Sequence, residues 1–377
     1  MDAKKVLIVY LGKNGGPSAF TYELACGFSL CGHQVYALLS DANEMKLSWE
    51  KQKKINKIYI YTGNTRKIVS ASIKMEIKTR RFLRKQYCNT EFDYVIYTMP
   101  HPWSYRIGSA FRSKKHVMFC HDPIAHSSAW QVYRIINDYL LKKCDDIFVL
   151  TKSFVPVIEE RFHVPKEHIH YVPHGRMSIY GKDVCGTVPQ HNVTGVNFIF
   201  FGNITGYKGL NVLGKAYREL CLDKELKTDF TLTIAGRGDF SPFASEYEGL
   251  PNIQLENRFI PDEEVASIFR KPNAVLILPY LDATQSGVIP IAMEFGVPVI
   301  ASDTGGLREQ LDNGNIGVLF ECANANALAE AMKSMIKHPG LMAEQRDKMK
   351  GYLVRLNWDN IAASMVEQLE AFPNDRE

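Results

Sequence analysis

The sequence predicts an α/β protein built as two Rossmann-like, doubly wound domains facing each other across a cleft, and three observations predict it. Short apolar runs alternate with helical stretches from end to end, the pattern of parallel sheets covered by helices. A stretch from Gly175 to Gly195, with Gly, Pro and Asn and little periodicity, reads as a linker between two such alternations. Each half opens with a strand that runs into a glycine loop, and in open parallel sheets ligands sit at such carboxyl ends.

In the first half, strands are expected over Val6–Leu11, Gln34–Leu39, Lys57–Tyr61, Tyr94–Met99, His116–Cys120, Ile147–Leu150 and Ile169–Val172. The second half restarts with Val196–Phe201, Phe230–Ala235, Ile253–Leu255, Ala274–Leu278, Val297–Ala301 and Gly317–Phe320. Phe20, Leu24 and Phe28 give the first glycine loop a helix that ends at Gly32-His33. Ile361, Met365, Val366 and Leu369 give a final helix within Trp358 to Phe372. The domains expected are residues 1–185 and 186–355, followed by a C-terminal helix in 356–377.

A chain of 377 residues with 46% hydrophobic residues can build two cores without metals or disulfides. Its eight cysteines lack C-x-x-C or zinc-finger spacing, and read as buried apolar residues of a reducing compartment. Met1-Asp2-Ala3-Lys4-Lys5 leads directly into a strand, and no apolar run approaches a membrane span. The expectation is a cytoplasmic protein. Net charge is only +4, yet residues 46–85 hold thirteen Lys or Arg against Glu50 and Glu76. Lys67, Lys74, Lys78, Arg81 and Lys85 fall on one helical face, which reads as a docking surface for an anionic membrane, peripheral on its inner side. A solvated surface helix is the plainer alternative; nucleic acid is not expected as a partner.

The most informative stretch is Tyr280 to Gly306, where strand, polar turn, helix and strand follow in order. The turn Ala283-Thr284-Gln285-Ser286-Gly287 is small and hydroxyl-rich, as close approach to a phosphate requires. Ser286 can act as N-cap, and Pro290 falls in the first turn, where a missing N–H costs little. The amides of Gly287, Val288 and Ile289 are expected to stay open to an anion. In the loop Gly202-Asn203-Ile204-Thr205-Gly206-Tyr207-Lys208-Gly209, Lys208 suits a point charge against a diphosphate. His121, at the end of a strand, suits a hydrogen bond to a sugar hydroxyl or a reacting centre; a structural histidine is the alternative. His174 reads as a hinge residue. There is no D-x-D pair, histidine cluster of metal spacing, G-x-S-x-G or Walker loop, so the reaction expected uses no metal and no cofactor.

Together these residues resemble the retaining, nucleotide-sugar-dependent glycosyltransferases of family four, which have the GT-B fold. The resemblance runs through Gly15-Gly16, Gly32-His33-Gln34-Val35, His121-Asp122, Gly202 to Gly209, Asn257 to Val265, Leu278-Pro279-Tyr280, Gln285-Ser286-Gly287-Val288, Gly296-Val297-Pro298-Val299 and Asp303 to Leu307. The Q-S-G-V variant is similar to a bacterial branch placed in surface-polysaccharide assembly. By resemblance, Lys208 stabilises the departing diphosphate, and Thr284, Gln285, Ser286, Gly287 and Val288 hold phosphates beside Gly202 and Asn203. Gly236, Arg237, Arg258, Phe259 and Ile260 form the nucleoside pocket. His121 meets the transferred sugar, Gly15 and Gly16 face the acceptor, and the last helix crosses back onto the first domain.

Two departures stand out. The family's paired glutamates, eight residues apart, would fall at Ala283 and Ile291, so Glu294 is a candidate substitute for one of them. The arginine usual after the loop glycine is Asn203, so Arg237 or Arg258 would have to supply the second charge. The activity expected is transfer of a hexose from a UDP-linked donor to a lipid-linked or polysaccharide acceptor with retention of configuration. A nucleotide-sugar epimerase and a catalytically silent nucleotide-sugar binder are the alternatives.

Overall fold

The computed structural model describes residues 2–62, 69–123, 131–181, 195–226 and 229–372. The chain divides into two compact units, Met1–Gly175 with Asn357–Glu377, and Arg176–Leu356. The first unit runs β1 (Lys5–Tyr10), α1 (Gly16–Leu30), β2 (Gln34–Ser40), α2 (Lys46–Lys51), β3 (Asn56–Ile60), α3 (Val69–Gln86), β4 (Glu91–Tyr97), α4 (Ser104–Gly108), β5 (Arg112–Cys120), α5 (Gln131–Leu141), β6 (Asp146–Val149), α6 (Val155–Phe162) and β7 (Ile169–Tyr171). The second runs β8 (Val196–Phe201), α7 (Leu210–Leu222), β9 (Phe230–Ala235), α8 (Ala244–Tyr247), β10 (Ile253–Glu256), α9 (Asp262–Phe269), β11 (Ala274–Leu278), α10 (Val288–Glu294), β12 (Val299–Ser302), α11 (Leu307–Gln310), β13 (Val318–Phe320), α12 (Ala325–Lys337) and α13 (Pro339–Leu353). A last helix, α14 (Trp358–Ala371), belongs to the first unit.

Both sheets are parallel, in the orders β3-β2-β1-β4-β5-β6-β7 and β10-β9-β8-β11-β12-β13. Each is the Rossmann order, with a switch point where the chain reverses direction, at β1/β4 and at β8/β11. The strands are apolar because both faces are covered. On one face of the first sheet, Leu7 and Val9 share a core with Leu83 of α3, Ile107 of α4, Leu140 of α5 and Ile158 of α6. On the other, Phe20 of α1 sits edge-on to Phe119 and to Trp358 of α14, at 5.2 and 5.0 Å. α2 joins α1 through Trp49 and Tyr22, 5.1 Å apart. Right-handed crossovers account for this split: α1 and α2 precede the reversal, and α3 to α6 follow it.

Three strands start two or more residues from where the apolar runs indicate, and the first is β4, at Glu91 rather than Tyr94. β5 begins at Arg112 rather than His116, because Lys115 is buried in pairing with Asp146 at 3.0 Å. β12 begins at Val299 rather than Val297, because Pro298 has no N–H to give to a ladder. The same Lys115 ammonium donates to the carbonyls of Leu369 and Phe372 at 3.0 and 2.5 Å, a cationic cap on the carboxyl end of α14. Burial works against charge on Asp146, but His170 and Lys115 outweigh it and hold the carboxyl below its ordinary range. The linker expected over Gly175 to Gly195 contains a 3-10 turn, Ser178–Tyr180, and its residues 182–194 lie outside the described ones.

α14 approaches the rest of its unit at two glycines. A Cβ on Gly27 would land on the Trp358 carbonyl, and one on Gly175 on the Trp358 indole. Gly27→Ala is therefore expected to lower unfolding free energy by about 1–3 kcal/mol through overpacking, read from denaturant unfolding. Unchanged stability would mean that α14 tolerates displacement. His174 lies among Phe20 and Trp358, and burial lowers its pKa from 6.5 to about 4. The unfolded chain thus binds a proton across that window that the folded chain refuses, so stability is full above pH 6.5 and falls as pH drops towards 4. His174→Phe should flatten that dependence by up to about 1.4 kcal/mol per pH unit in denaturation curves taken at stepped pH.

Candidate functional site

In the second unit, the loops at the carboxyl ends of β8, β9 and β10 are stitched together. Ile204 N–H donates to the Arg237 carbonyl at 2.8 Å, Gly236 N–H to the Glu256 carbonyl at 3.0 Å, and Gly238 N–H to Asn257 Oδ1 at 3.2 Å. Across the switch point, Leu281 N–H donates to the Tyr207 carbonyl at 2.8 Å, which ties the β11 loop to the β8 loop. Gly209 has φ 69°, and a Cβ there would strike the Pro279 carbonyl, so only glycine fits this crossing. The structure therefore gathers Gly202, Asn203 and Lys208 with Gly236, Arg237, Arg258, Phe259 and the 283–288 turn at one end of one sheet.

Lys208 closes a 3-10 turn, and its ammonium sits 3.5 Å from the centroid of the Tyr280 ring and 4.9 Å from that of Tyr207. Tyr280 is buried, and burial pushes its pKa up to about 12 against a lowering bond from Ser286, so the ring remains a neutral cation–π partner. The Tyr280 hydroxyl lies 3.3 Å from Ser286 Oγ, and its carbonyl accepts from Ser302 Oγ at 2.5 Å. Gln310 of α11 grips the Ser286 backbone at both ends. Its Oε1 accepts the Ser286 N–H at 2.7 Å, and its Nε2 donates to the Ser286 carbonyl at 3.1 Å.

This geometry narrows the sequence reading of the turn. Ser286 Oγ accepts from Val288 N–H at 3.4 Å, while the cap position is Gly287. The Ile289 N–H is turned back onto the Ser286 carbonyl at 3.3 Å. Of the three amides expected to stay open, only that of Gly287 has no partner among the described residues, and Gly287 is exposed. Thr284 is buried and Gln285 half-buried behind it. The buried Thr205 Oγ1 likewise has no hydrogen-bond partner among the described residues. A buried hydroxyl left so costs about 1–3 kcal/mol unless a ligand satisfies it.

The two arginines part company. Arg258 is committed to Glu256 and Glu264, at 2.9 and 2.5 Å. Arg237 is exposed, makes no ion pair among the described residues, and stands 5.6 Å from the Phe259 ring. Ile260 is buried beneath that loop. Ala283 and Ile291 are buried apolar positions. Glu294 closes α10 and forms a two-point ion pair with Arg176, at 3.0 and 2.7 Å, so its carboxylate is already held within the protein.

In the first unit, His121 follows β5 with Nε2 3.0 Å from the Thr98 carbonyl. A carbonyl only accepts, so Nε2 carries the proton. Burial lowers the His121 pKa and the charge of Asp122 opposes it, which favours the neutral ring. Gly15 and Gly16 open α1, and the Gly15 N–H donates to the Glu44 carboxylate. The basic stretch 46–85 is divided by the fold, because α2 packs with α1 and α3 packs with α4 through Glu76 and Arg106 at 3.1 Å. Lys78, Arg81 and Lys85 are exposed on α3; Lys67 and the Lys74 side chain lie outside the described residues.

Two Rossmann units of this order in one chain are the architecture of the GT-B fold. Residues 195–338 match the glycosyl transferases group 1, and residues 14–176 match glycosyltransferase family 4. The chain belongs to this family. Among curated relatives it is 22% identical over 238 residues to an uncharacterized glycosyltransferase of Haemophilus influenzae, covering 63% of this chain and 64% of the relative. It is 26% identical to a D-inositol 3-phosphate glycosyltransferase of Corynebacterium jeikeium, covering 46% of this chain and 43% of the relative. The chain thus spans less than two thirds of either relative. Its fold matches a glycosyltransferase from Rickettsia africae over 100% of both chains at 17% identity and TM-score 0.69. It also matches Anabaena HepE in complex with UDP and glucose, over 98% of this chain and 100% of that one, at 16% identity and TM-score 0.71.

Tyr280, Gln310 and Thr205 carry none of the roles assigned by sequence. Thr205 had a local signal, a hydroxyl in a glycine loop, whereas Gln310 lies 24 residues from its contact. If Gln310 sets the turn, Gln310→Ala should lower turnover on the order of tenfold to a hundredfold while thermal unfolding moves little. Gln310→Glu keeps the shape but cannot donate to the Ser286 carbonyl, so it should not rescue. Full activity in both would release the turn from this side chain.

Proposed function

We propose that this glycosyltransferase moves a hexose from a nucleotide diphosphate sugar, UDP-linked, to a lipid-linked or polysaccharide acceptor, with retention at the anomeric carbon and without metal or other cofactor. The observation that carries the reading is the Lys208 ammonium on the Tyr280 ring, beside the Ser286-Gly287 turn, at the carboxyl edge of β8 and β11. In this reading the leaving diphosphate gathers negative charge against Lys208, the Gly287 N–H and the Thr205 hydroxyl, with Asn203 and Gly202 close by. These groups are fixed before reaction, so little reorganisation is needed as the charge develops. Arg237 supplies the second cation and, with Phe259 and Ile260, lines the nucleoside end. His121 meets the transferred sugar, and the Gly15-Gly16 loop faces the acceptor. Glu294 acts by holding Arg176 rather than by touching a ribose. The UDP-linked donor draws support from the fold shared with a protein whose structure holds UDP and glucose. The protein works in the cytoplasm, peripheral to an anionic membrane through the basic stretch 46–85, within bacterial surface-polysaccharide assembly.

The test is a comparison of Lys208→Ala with the parent. Turnover is expected to fall about 100- to 1,000-fold, while donor affinity changes far less. Equal loss of both would reduce Lys208 to uniform binding. A thermal-shift panel of UDP, GDP, ADP and TDP precedes the kinetics, since a ligand that binds only the folded state raises apparent stability. A changed sugar released without acceptor would show an epimerase, and nucleotide binding with no turnover or donor hydrolysis a silent binder.

A further inference from the structure

We propose that α5 is a membrane-inserting element, and that it forms with α3 a single face which docks on an anionic phospholipid bilayer. The proposal refines the membrane part of the functional reading and rests on it. It assigns the contact to a different set of residues from the basic stretch as a whole.

On α5, Val132, Ile135 and Tyr139 are 55, 65 and 44% exposed, and their steps of three and four residues align them in one outward stripe. The inward side is filled by Leu140 and Leu141, both buried in the core. Val132 and Ile135, more than half exposed, gain little from the fold they belong to. Arg134, Lys142 and Lys143 are exposed around it. On α3, Ile77 and Phe82 are 49 and 63% exposed among the exposed Lys78, Arg81, Arg84 and Lys85.

The two helices form one surface because α4 lies between and touches both. Arg106 of α4 pairs with Glu76 of α3 at 3.1 Å, and Tyr105 of α4 meets Tyr139 of α5 with centroids 5.9 Å apart. Among the described residues these two helices carry only two carboxylates. Glu76 is buried against Arg106, and Asp138 pairs with Arg161 at 3.7 Å. The charge this face presents is therefore cationic, and the apolar side chains are set within it. That combination fits a bilayer with anionic headgroups: the cations meet the phosphates while the apolar side chains enter the boundary below them. A protein partner would need acidic residues against the same apolar stripe; the bilayer supplies both without further design.

The fold gives the proposal a sharp control. Lys51 and Lys53 belong to the same basic stretch, but α2 packs with α1 on the other side of the sheet. Full-length protein is sedimented with phosphatidylcholine vesicles, with and without phosphatidylglycerol, at low and high salt. Parent and Lys51→Glu/Lys53→Glu protein should bind equally, only to the anionic vesicles, and less at high salt. Ile135→Ser/Tyr139→Ser and Arg81→Glu/Lys85→Glu should each bind about tenfold more weakly or worse. Equal binding by the α5 variant, equal loss in the Lys51/Lys53 variant, or equal binding to neutral vesicles would overturn the proposal. So would a lipid-independent dimer dispersed by the α5 changes, which would make a second copy the occupant. Nucleotide-induced thermal shifts on each variant report folding and the donor site separately. Loss of vesicle binding with the nucleotide shift intact concerns the docking face alone, and absence of any nucleotide shift in the parent concerns the donor reading alone.

Discussion

The carboxyl edge of the second unit is organised around a buried, neutral phenol. Tyr280 is buried deeply enough that its ring stays neutral, and its face receives the Lys208 ammonium while its hydroxyl meets Ser286. One side chain therefore fixes the position of a cation and of a helix start at once. Its own backbone is held from below by Ser302, so the arrangement is anchored to β12 rather than floating in a loop. The crossing of Gly209 over the Pro279 carbonyl brings the β8 and β11 loops close enough for this to happen. A lysine on a flexible stem would otherwise sample many rotamers, and ordering it at the moment of reaction would cost entropy.

The fold was readable in the chain wherever burial on both faces made a strand uniformly apolar. β8, β9 and β11 coincide with their apolar runs because they lie in or beside the middle of the second sheet. The polar start of β5 was not readable, since what makes Arg112–Lys115 a strand is Asp146 on a neighbouring strand and the carbonyls of α14. Site residues follow the same division. The glycine and hydroxyl loops announce themselves locally, through residues that permit close approach. The contacts that decide which atoms remain open do not, because Gln310 and Ser286, or Arg176 and Glu294, meet only through the tertiary fold.

The basic stretch shows how composition and topology can disagree. Thirteen cations within forty residues look like one patch when read along the chain. The strand order separates them, because the connection after β3 carries the chain across the sheet. α5 gave the opposite problem. Its apolar periodicity is indistinguishable in sequence from that of a helix packed on a sheet, and only exposure separates the outward stripe from the inward one.

The two units share a topology but differ in the groups that their switch points present. In the first, several polar groups at the carboxyl edge pair within the protein: His121 with the Thr98 carbonyl, Gly15 with Glu44, and Ser18 with Asn43 at 3.2 Å. In the second, the Gly287 amide and the Thr205 hydroxyl have no partner among the described residues, and Arg237 has no counter-ion there. Unmatched donors beside cations raise the free energy of the empty protein and lower that of a complex with a diphosphate. Matched donors do neither. The edge of β8 and β11 accordingly presents an amide, a hydroxyl and a cation that one negatively charged ligand would satisfy together.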